Sequence, residues 1–325
     1  MARIIEWWDE HQVALYLAAI AVGAVAGSGL PNLAPAFENS IEPVLMLLLF
    51  ATFLGVPMTE VGRAFADVRF LATVLVVNFV AVPAIAWALS RFVVDDQGLL
   101  IGVLLVLLTP CIDYVIVFTG LAGGARSRLL AAAPLLMLVQ ILLLPVYLFA
   151  LIGGDALSVI AIAPFAEAFV LLIALPLAAA AVVQAVARRH RAGRLVEAVM
   201  AGAMVPLMMA ILAVVVASQI AAVGSQIGSL ARVIPLYIAF TVVAVAVGRI
   251  AGRVVRLDTP STRAVMFSAA TRNSLVVLPL ALALPATLGI APLAVVTQTL
   301  VELVAMVVLV RLVPALTRND ASTAP

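Results

Sequence analysis

Long apolar runs follow one another along the whole chain, and only short polar connections separate them. Each run is close to the roughly 20 residues that an α-helix needs to cross the hydrocarbon core of a bilayer. In lipid, a helix also pairs its backbone groups within the segment itself. The pattern therefore predicts an all-α polytopic membrane protein. We number the ten predicted spans in chain order: 13–30, 41–57, 70–90, 99–121, 130–152, 161–187, 198–217, 231–248, 264–288 and 292–310.

The composition agrees with that class and excludes others. The chain has 325 residues, of which 66% are hydrophobic and 10% are charged. A soluble domain of this length carries far more charge. The spans use most of the chain, so no room remains for a soluble catalytic domain, and no nucleophile–histidine–acid set lies at membrane depth. We therefore predict that the protein is not an enzyme.

The positive charges are distributed unevenly between the two sides of the predicted membrane. All 18 basic residues are arginine, and 15 of them fall in the terminal segments or in the connections after spans 2, 4, 6 and 8. Only Arg91 and Arg232 fall on the opposite side, and Arg272 lies inside span 9. The positive-inside rule then places both termini in the cytoplasm, with the protein in the cell membrane. No aromatic residues interleave with these arginines, so we expect no nucleic-acid partner.

The chain divides into two halves of five spans each. Five is an odd number, so a second copy enters the membrane in the opposite orientation. We predict a first repeat over residues 1–155 and an inverted repeat over residues 156–325. Spans 4 and 9 occupy matching places, and each carries a polar cluster within an apolar run. The next spans each contain an intramembrane glutamine, Gln140 and Gln298.

Both polar clusters predict an interrupted helix. In span 4, Pro110 follows Thr109 and lacks the amide hydrogen that a continuous helix needs. In span 9, Thr271, Asn273 and Ser274 can hydrogen-bond to the backbone groups that a break exposes. Such breaks persist only against protein or a wet cavity. We expect the two broken helices to cross at mid-membrane and to direct half-helix ends at a substrate. The candidate substrate-binding residues are Thr109, Cys111, Arg272, Asn273 and Ser274.

Two charges inside these clusters need a partner or a function, because a charge at membrane depth costs roughly 2.5–3.5 kcal/mol. Asp113 is a candidate proton carrier, and Arg272 is a candidate partner for that acid or for an anionic substrate. The alternative is a structural ion pair between the two halves. Cys111 is either a soft ligand for a thiophilic solute such as trivalent arsenic, or a small apolar filler.

Span 10 contains a second candidate proton or cation site. Glu302 lies four residues after Gln298, so the two side chains share a helix face. In span 3, Asn78 is typical of a side chain that hydrogen-bonds between helices. The single cysteine excludes an internal disulfide and a cysteine-rich metal site. The two histidines lie in the N-terminal segment and in a loop, so we expect neither a metal nor a cofactor.

Span 4 resembles the cysteine-bearing fourth helix of arsenite efflux permeases, which belong to the bile acid:sodium symporter superfamily. The segments that carry the resemblance are Cys111–Phe118, Leu121-Ala122, Gln140, Asn273-Ser274 and Leu300–Leu303. The resemblance implies ten helices in two inverted repeats, from which a core and a panel domain are built. It further implies export of trivalent arsenic against protons, with Cys111 as the substrate ligand and Glu302 as the acid of span 10.

Span 9 departs from the pattern of both branches. The permeases carry a glutamate where this chain has Ser274 and Leu275. The sodium-coupled relatives place a glutamate and a glutamine before the Asn-Ser pair, and those positions here hold Ser268 and Arg272. An arginine repels sodium electrostatically, so the resemblance implies that this sodium site is lost. Asp113 replaces a small residue of the permeases and could supply the missing acid.

We therefore predict a secondary active transporter and favour a proton-coupled arsenite efflux antiporter. Its partners are then the lipid bilayer, protons and a small solute. One alternative is a proton- or sodium-coupled symporter of a small organic anion, with Arg272 binding a carboxylate. Another is a membrane receptor or scaffold that transports nothing.

Overall fold

The computed structural model describes residues 2–55, 67–112, 114–152 and 170–317. Within these ranges the chain is helical apart from short connections. Its twelve α-helices are α1 (Ala2–Gly29), α2 (Ala34–Gly55), α3 (Val68–Val76), α4 (Val82–Ser90), α5 (Gln97–Leu107), α6 (Tyr114–Leu121), α7 (Arg126–Ile152), α8 (Leu175–Ala187), α9 (Arg191–Val254), α10 (Thr259–Ala270), α11 (Ser274–Leu282) and α12 (Ile290–Thr317).

Six stretches of the described chain are long and apolar enough to cross a membrane as single helices. They are Ala34–Gly55, Val68–Val93, Arg126–Ile152, Arg191–Ser218, Gly228–Val254 and Ile290–Thr317. These six correspond to spans 2, 3, 5, 7, 8 and 10 of the sequence prediction. Spans 4 and 9 are interrupted, span 1 has its apolar part in the shorter stretch Ala14–Gly29, and span 6 falls partly outside the described residues. The helices support a multi-pass membrane protein, and the ten-helix inverted repeat stays a prediction.

The helices group into two compact units, and each unit combines segments from both halves of the sequence. The first unit comprises Met1–Gly55 and Ile162–Gly228, and the second comprises Val56–Ala161 and Ser229–Pro325. In the first unit α8 packs against α2. There the amide nitrogen of Gln184 donates to the carbonyl oxygens of Phe53 and Leu54, at 3.3 and 3.1 Å, in the last turn of α2. This side chain therefore satisfies acceptors that a helix end leaves without an intrahelical partner.

The second unit has α5 and α10 in its interior. Every residue of α5 from Gly98 to Leu107 is buried, and α5 packs against α4, α7, α11 and α12. Nine residues of the 12-residue α10 are buried as well. A helix that is apolar on all sides, as α5 is, lies in a protein core or in a membrane. These two helices are the first halves of the interrupted spans 4 and 9.

Glycines allow the backbones of these interior helices to approach their neighbours closely. A Cβ atom at Gly102 of α5 would lie 2.7 Å from the carbonyl oxygen of Ala291 in α12. A Cβ atom at Gly248 of α9 would lie 2.7 Å from Cα of Met266 in α10. Small residues at such crossings are how membrane helices gain packing contacts. The positions of α5 and α10 therefore depend on direct backbone contact.

Aspartates begin three helices of the second unit. The side chains of Asp67, Asp96 and Asp258 each accept a hydrogen bond from the amide three residues later, at 3.0 to 3.1 Å. Arg128 contacts both Asp67, at 3.3 Å, and Asp258, at 3.0 Å, and so links the start of α3 to that of α10. Partial burial raises the pKa of Asp258, but the hydrogen bonds from Ser261 and the charge of Arg128 outweigh it and hold the pKa below its usual range.

Gly102→Ala is expected to lower the thermal unfolding midpoint of the purified protein, because the added methyl group forces α5 and α12 apart. Overpacking of this kind costs about 1–3 kcal/mol. Gly228→Ala is the matched control, since a Cβ atom there meets nothing within 4 Å. Alanine in a helix is favoured over glycine by about 1 kcal/mol, so the control should be neutral or stabilising. A midpoint for Gly102→Ala at or above that of the control would contradict the close approach.

Candidate functional site at the two broken helices

Two helices of the second unit are interrupted at the polar clusters. Span 4 is divided into α5 and α6, and span 9 is divided into α10 and α11. The two interruptions lie against each other and form an isolated antiparallel bridge between Pro110 and Arg272. The bridge brings together residues that are more than 160 positions apart in sequence.

A reciprocal pair of backbone hydrogen bonds closes the bridge. The amide of Cys111 donates to the carbonyl oxygen of Thr271 at 3.1 Å, and the amide of Asn273 donates to that of Thr109 at 2.8 Å. Thr109 and Thr271 hold equivalent places in the two segments, as do Cys111 and Asn273, so a local two-fold axis relates the two bonds. These bonds pair backbone groups that hydrocarbon would leave unsatisfied.

The two threonine hydroxyls follow the same local symmetry. Oγ1 of Thr109 donates to the carbonyl oxygens of Leu105 at 3.2 Å and Val106 at 3.0 Å, in the last turn of α5. Oγ1 of Thr271 donates to the carbonyl oxygen of Phe267 at 2.6 Å, in the last turn of α10. Each threonine thus satisfies acceptors at the helix end that precedes it.

The guanidinium group of Arg272 is completely buried beside the bridge. Its Nη2 donates to Oδ1 of Asn78 at 2.8 Å and to the carbonyl oxygens of Ser268 and Ala269 at 2.5 and 2.8 Å. Its Nη1 donates to the carbonyl oxygen of Leu107 at 3.4 Å. The oxygens of Ser268 and Ala269 belong to the last turn of α10, and that of Leu107 ends α5. The C-terminal ends of both half-helices therefore point at the same cation, which their dipoles favour.

Asn78 is held in place by two further hydrogen bonds. Its Nδ2 donates to the carbonyl oxygen of Val74 at 3.0 Å and to Oγ of Ser268 at 2.9 Å. The residue lies in the π-helical segment Val77–Ala81, where one extra residue per turn changes the direction of the side chain. Asn78 therefore hydrogen-bonds between helices, as its place in an apolar span predicts, and one of its partners is Arg272.

Glu302 of α12 also contacts the bridge. Its Oε2 accepts the backbone amide of Arg272 at 2.8 Å, and it also accepts Nε2 of Gln298. Glu302 and Gln298 therefore share a helix face, as their spacing predicts. Oγ1 of Thr299 donates to Oγ of Ser274, the first residue of α11, at 2.7 Å. These contacts tie α12 to the interruption in span 9.

Several buried polar side chains of the second unit have hydrogen-bonding capacity left. Both amide atoms of Gln140 in α7, Nδ2 of Asn273 and Oε1 of Gln298 have no hydrogen-bond partner within the part of the chain that the structure describes. Buried polar groups in proteins are normally paired with protein, water or a ligand. A polar solute that reaches this region therefore finds both donors and acceptors.

The sequence predictions for the site have three outcomes. Contacts of the bridge unite Thr109, Pro110, Cys111, Thr271, Arg272 and Asn273, and hydrogen bonds add Ser274, Gln298 and Glu302. Gln140 is buried, but it hydrogen-bonds to none of the other described residues. Asp113 lies outside the described residues, so its pairing with Arg272 stays a prediction.

The sequence did not place Asn78, Ser268 or Phe240 at the site, although it predicted that Asn78 hydrogen-bonds between helices. The guanidinium carbon of Arg272 lies 5.6 Å from the centre of the Phe240 ring, a distance typical of a cation–π contact. A lone asparagine inside the apolar span 3 was a usable signal, since it needs a buried partner. Phe240 gave no such signal, because an aromatic residue in an apolar span needs no buried polar partner.

Asn78→Leu is expected to lower the thermal unfolding midpoint, because it removes an acceptor from a buried guanidinium group. A hydrogen bond to a charged group contributes about 1.5–3 kcal/mol. Thr119→Val is the control, since the buried Oγ1 of Thr119 has no partner among the described residues and valine has the same shape. If the two variants unfold at the same temperature, the contact between Asn78 and Arg272 is not a stabilising one.

The comparisons with known proteins agree with a membrane carrier. No curated protein matches the chain. The family model of the sodium bile acid symporter family matches residues 42–226, which is more than half of the 325 residues. The match ends before α10 and α11, so it does not include the interruption in span 9. The chain therefore belongs to the sodium bile acid symporter family.

Proposed function

We propose that the protein is a secondary active transporter that exports arsenite in exchange for protons. The family membership supports a secondary transporter. The observation that carries the finer proposal is the position of Cys111, which is the one cysteine of the chain and is buried in the bridge between the two broken helices. Secondary transporters commonly bind their substrates where discontinuous helices meet near mid-membrane.

Thiol chemistry explains how this position would select trivalent arsenic. Arsenic in this state is thiophilic, and soft thiolates are ligands for such centres. When neutral arsenous acid meets the thiol, a sulfur–arsenic bond forms and one arsenic–oxygen bond breaks. The hydroxide leaves with the thiol proton as water, so the step is balanced and reversible. The remaining hydroxyl groups can hydrogen-bond to the side chain of Asn273, whose Nδ2 has capacity for them.

A single sulfur ligand suits a carrier that must also release its cargo. Several thiolates would bind arsenic more tightly and slow its release. The transport site has one thiol, and the other candidate ligands are amides and hydroxyls, which are harder and weaker ligands for arsenic. The proposed mechanism therefore predicts a moderate affinity for arsenite.

Glu302 provides a route by which proton binding could act on the bridge. Its Oε2 accepts the backbone amide of Arg272 and the side-chain amide of Gln298. Protonation of the carboxylate would turn one of its oxygens into a donor and weaken these contacts. Proton binding would then shift the equilibrium between two arrangements of the broken helices. We propose Asp113 as a second proton carrier, because it follows the bridge directly in sequence.

A symporter of a small organic anion is the second candidate. The description of the family, which names bile acids, favours it. In that case Arg272 would bind the carboxylate of the substrate. Both terminal nitrogens of Arg272 already donate to protein oxygens, so a carboxylate would have to replace those contacts. This requirement makes the arsenite proposal the stronger of the two.

Cys111→Ser is expected to reduce arsenite uptake by everted membrane vesicles at least about tenfold, which corresponds to about 1.4 kcal/mol of lost interaction. Serine is close in size to cysteine but cannot form the soft sulfur–arsenic bond. Thr119→Val, which removes a buried hydroxyl group from the same span, serves as the control and should retain uptake. Comparable membrane levels of the variants, measured by immunoblot, ensure that the loss is one of transport.

Proton coupling is tested in the same vesicles. Collapse of the pH gradient with an uncoupler should abolish arsenite uptake, and Glu302→Gln should make the remaining uptake independent of that gradient.

Undiminished arsenite uptake by Cys111→Ser would contradict the thiophilic mechanism. Uptake of a labelled carboxylate that survives Cys111→Ser but is lost in Arg272→Ala would favour the organic-anion symporter.

A further inference from the structure

We propose that the guanidinium group of Arg272 is a tethered cation that occupies an oxygen-lined monovalent-cation site, so that this transporter works without binding sodium there. The inference rests on the proposed function only in treating the two broken helices as the transport site. It does not depend on arsenite or on protons.

The oxygens around Nη2 of Arg272 are arranged as they would be around a small cation. The amide oxygen of Asn78 and the carbonyl oxygens of Ser268 and Ala269 converge on this single nitrogen at 2.5 to 2.8 Å. Carbonyl and amide oxygens are ligands that hard cations accept in proteins. We refer to these three neutral oxygens as the oxygen cage.

The ends of the broken helices supply the field that such a site needs. Ser268 and Ala269 lie in the last turn of α10, and Leu107, whose carbonyl oxygen accepts from Nη1, is the last residue of α5. The C-terminal end of a helix carries a partial negative charge and favours a cation. In transporters with discontinuous helices, such ends and unwound carbonyls coordinate the coupling ion.

The residues present do not fit a sodium ion in this cage. Nη2 is already within 2.8 Å of the three oxygens, so an ion can take its place only if the whole side chain leaves. The positive charge of the guanidinium group would also repel a second cation at this distance. The description of the family names sodium. We infer that this chain departs from sodium binding at this position.

The cage has its own supports, which do not require Arg272. Nδ2 of Asn78 is held by the carbonyl oxygen of Val74 and by Oγ of Ser268, and this fixes the direction of Oδ1. The two carbonyl oxygens from α10 belong to a helix that is buried along most of its length. Removal of the guanidinium group should therefore leave preorganised oxygens rather than a collapsed site. A neutral side chain at position 272 should allow a monovalent cation to bind.

The experiment compares the purified wild-type protein with Arg272→Gln and Arg272→Lys. Thermal unfolding is measured in sodium chloride and in N-methyl-D-glucamine chloride at the same ionic strength. The wild type and Arg272→Lys both keep a cationic side chain at position 272. For each of these two proteins, the unfolding temperature should be the same in the two salts. Arg272→Gln, which adds an oxygen in place of the charge, should gain a saturable sodium-dependent rise of about 2–4 °C.

Arg232→Gln is the matched control for the loss of an arginine. Arg232 forms a half-exposed ion pair with Asp95, with contacts of 2.6 and 2.8 Å. Its removal changes the net charge by the same amount but touches no oxygen of the cage. This variant should show no difference between the two salts. A sodium-dependent rise in Arg232→Gln equal to that in Arg272→Gln would overturn the inference, because the effect would then follow from charge alone.

Two further outcomes would overturn the inference. One is saturable stabilisation of the wild-type protein by sodium, and the other is a folded Arg272→Gln that does not respond to sodium. If Arg272→Gln does not fold, equilibrium binding of radioactive sodium to the wild type and to Arg272→Lys is measured instead. Saturable sodium binding to either protein would contradict a permanently occupied cage. Absence of saturable binding to both would support a permanently occupied cage. Loss of the arsenite proposal would leave these readouts unchanged, so the two proposals fail separately.

Discussion

Backbone groups that a broken helix exposes at membrane depth must find partners, and in this protein each broken helix supplies them for the other. The amides of Cys111 and Asn273 and the carbonyl oxygens of Thr109 and Thr271 form one reciprocal pair. Unsatisfied groups in hydrocarbon cost several kcal/mol each, so neither interruption is stable without its counterpart. The bridge is therefore a structural requirement of the second unit. It is also the site at which we propose that the substrate binds.

The burial of Arg272 follows from the same arrangement. A guanidinium group without exposure is costly unless dipoles or charges compensate it. Here the ends of α5 and α10, Asn78 and the face of Phe240 all direct negative potential at it. The interruption that exposes backbone carbonyls thus also creates a place for a positive charge. Helix breaks and a buried cation depend on each other in this molecule.

These features relate the chain to its family and also distinguish it. The chain belongs to the sodium bile acid symporter family, and its fold is all-helical over the described residues. Its interior helices approach their neighbours through glycine contacts, as expected of a packed membrane core. The buried guanidinium group of Arg272 and the buried thiol of Cys111 both lie at the bridge between the broken helices.

The sequence by itself determined the membrane class and the two interruptions, because apolar length and the missing amide hydrogen of Pro110 are local properties. It also identified the candidate site residues, since a charged or amide side chain in an apolar run needs a buried partner or a function. Only the tertiary structure decided which side chains contact one another. Asn78 and Phe240 reach Arg272 from two helices that are distant in sequence. No sequence spacing encodes such contacts, because they arise from the packing of helices that are distant along the chain.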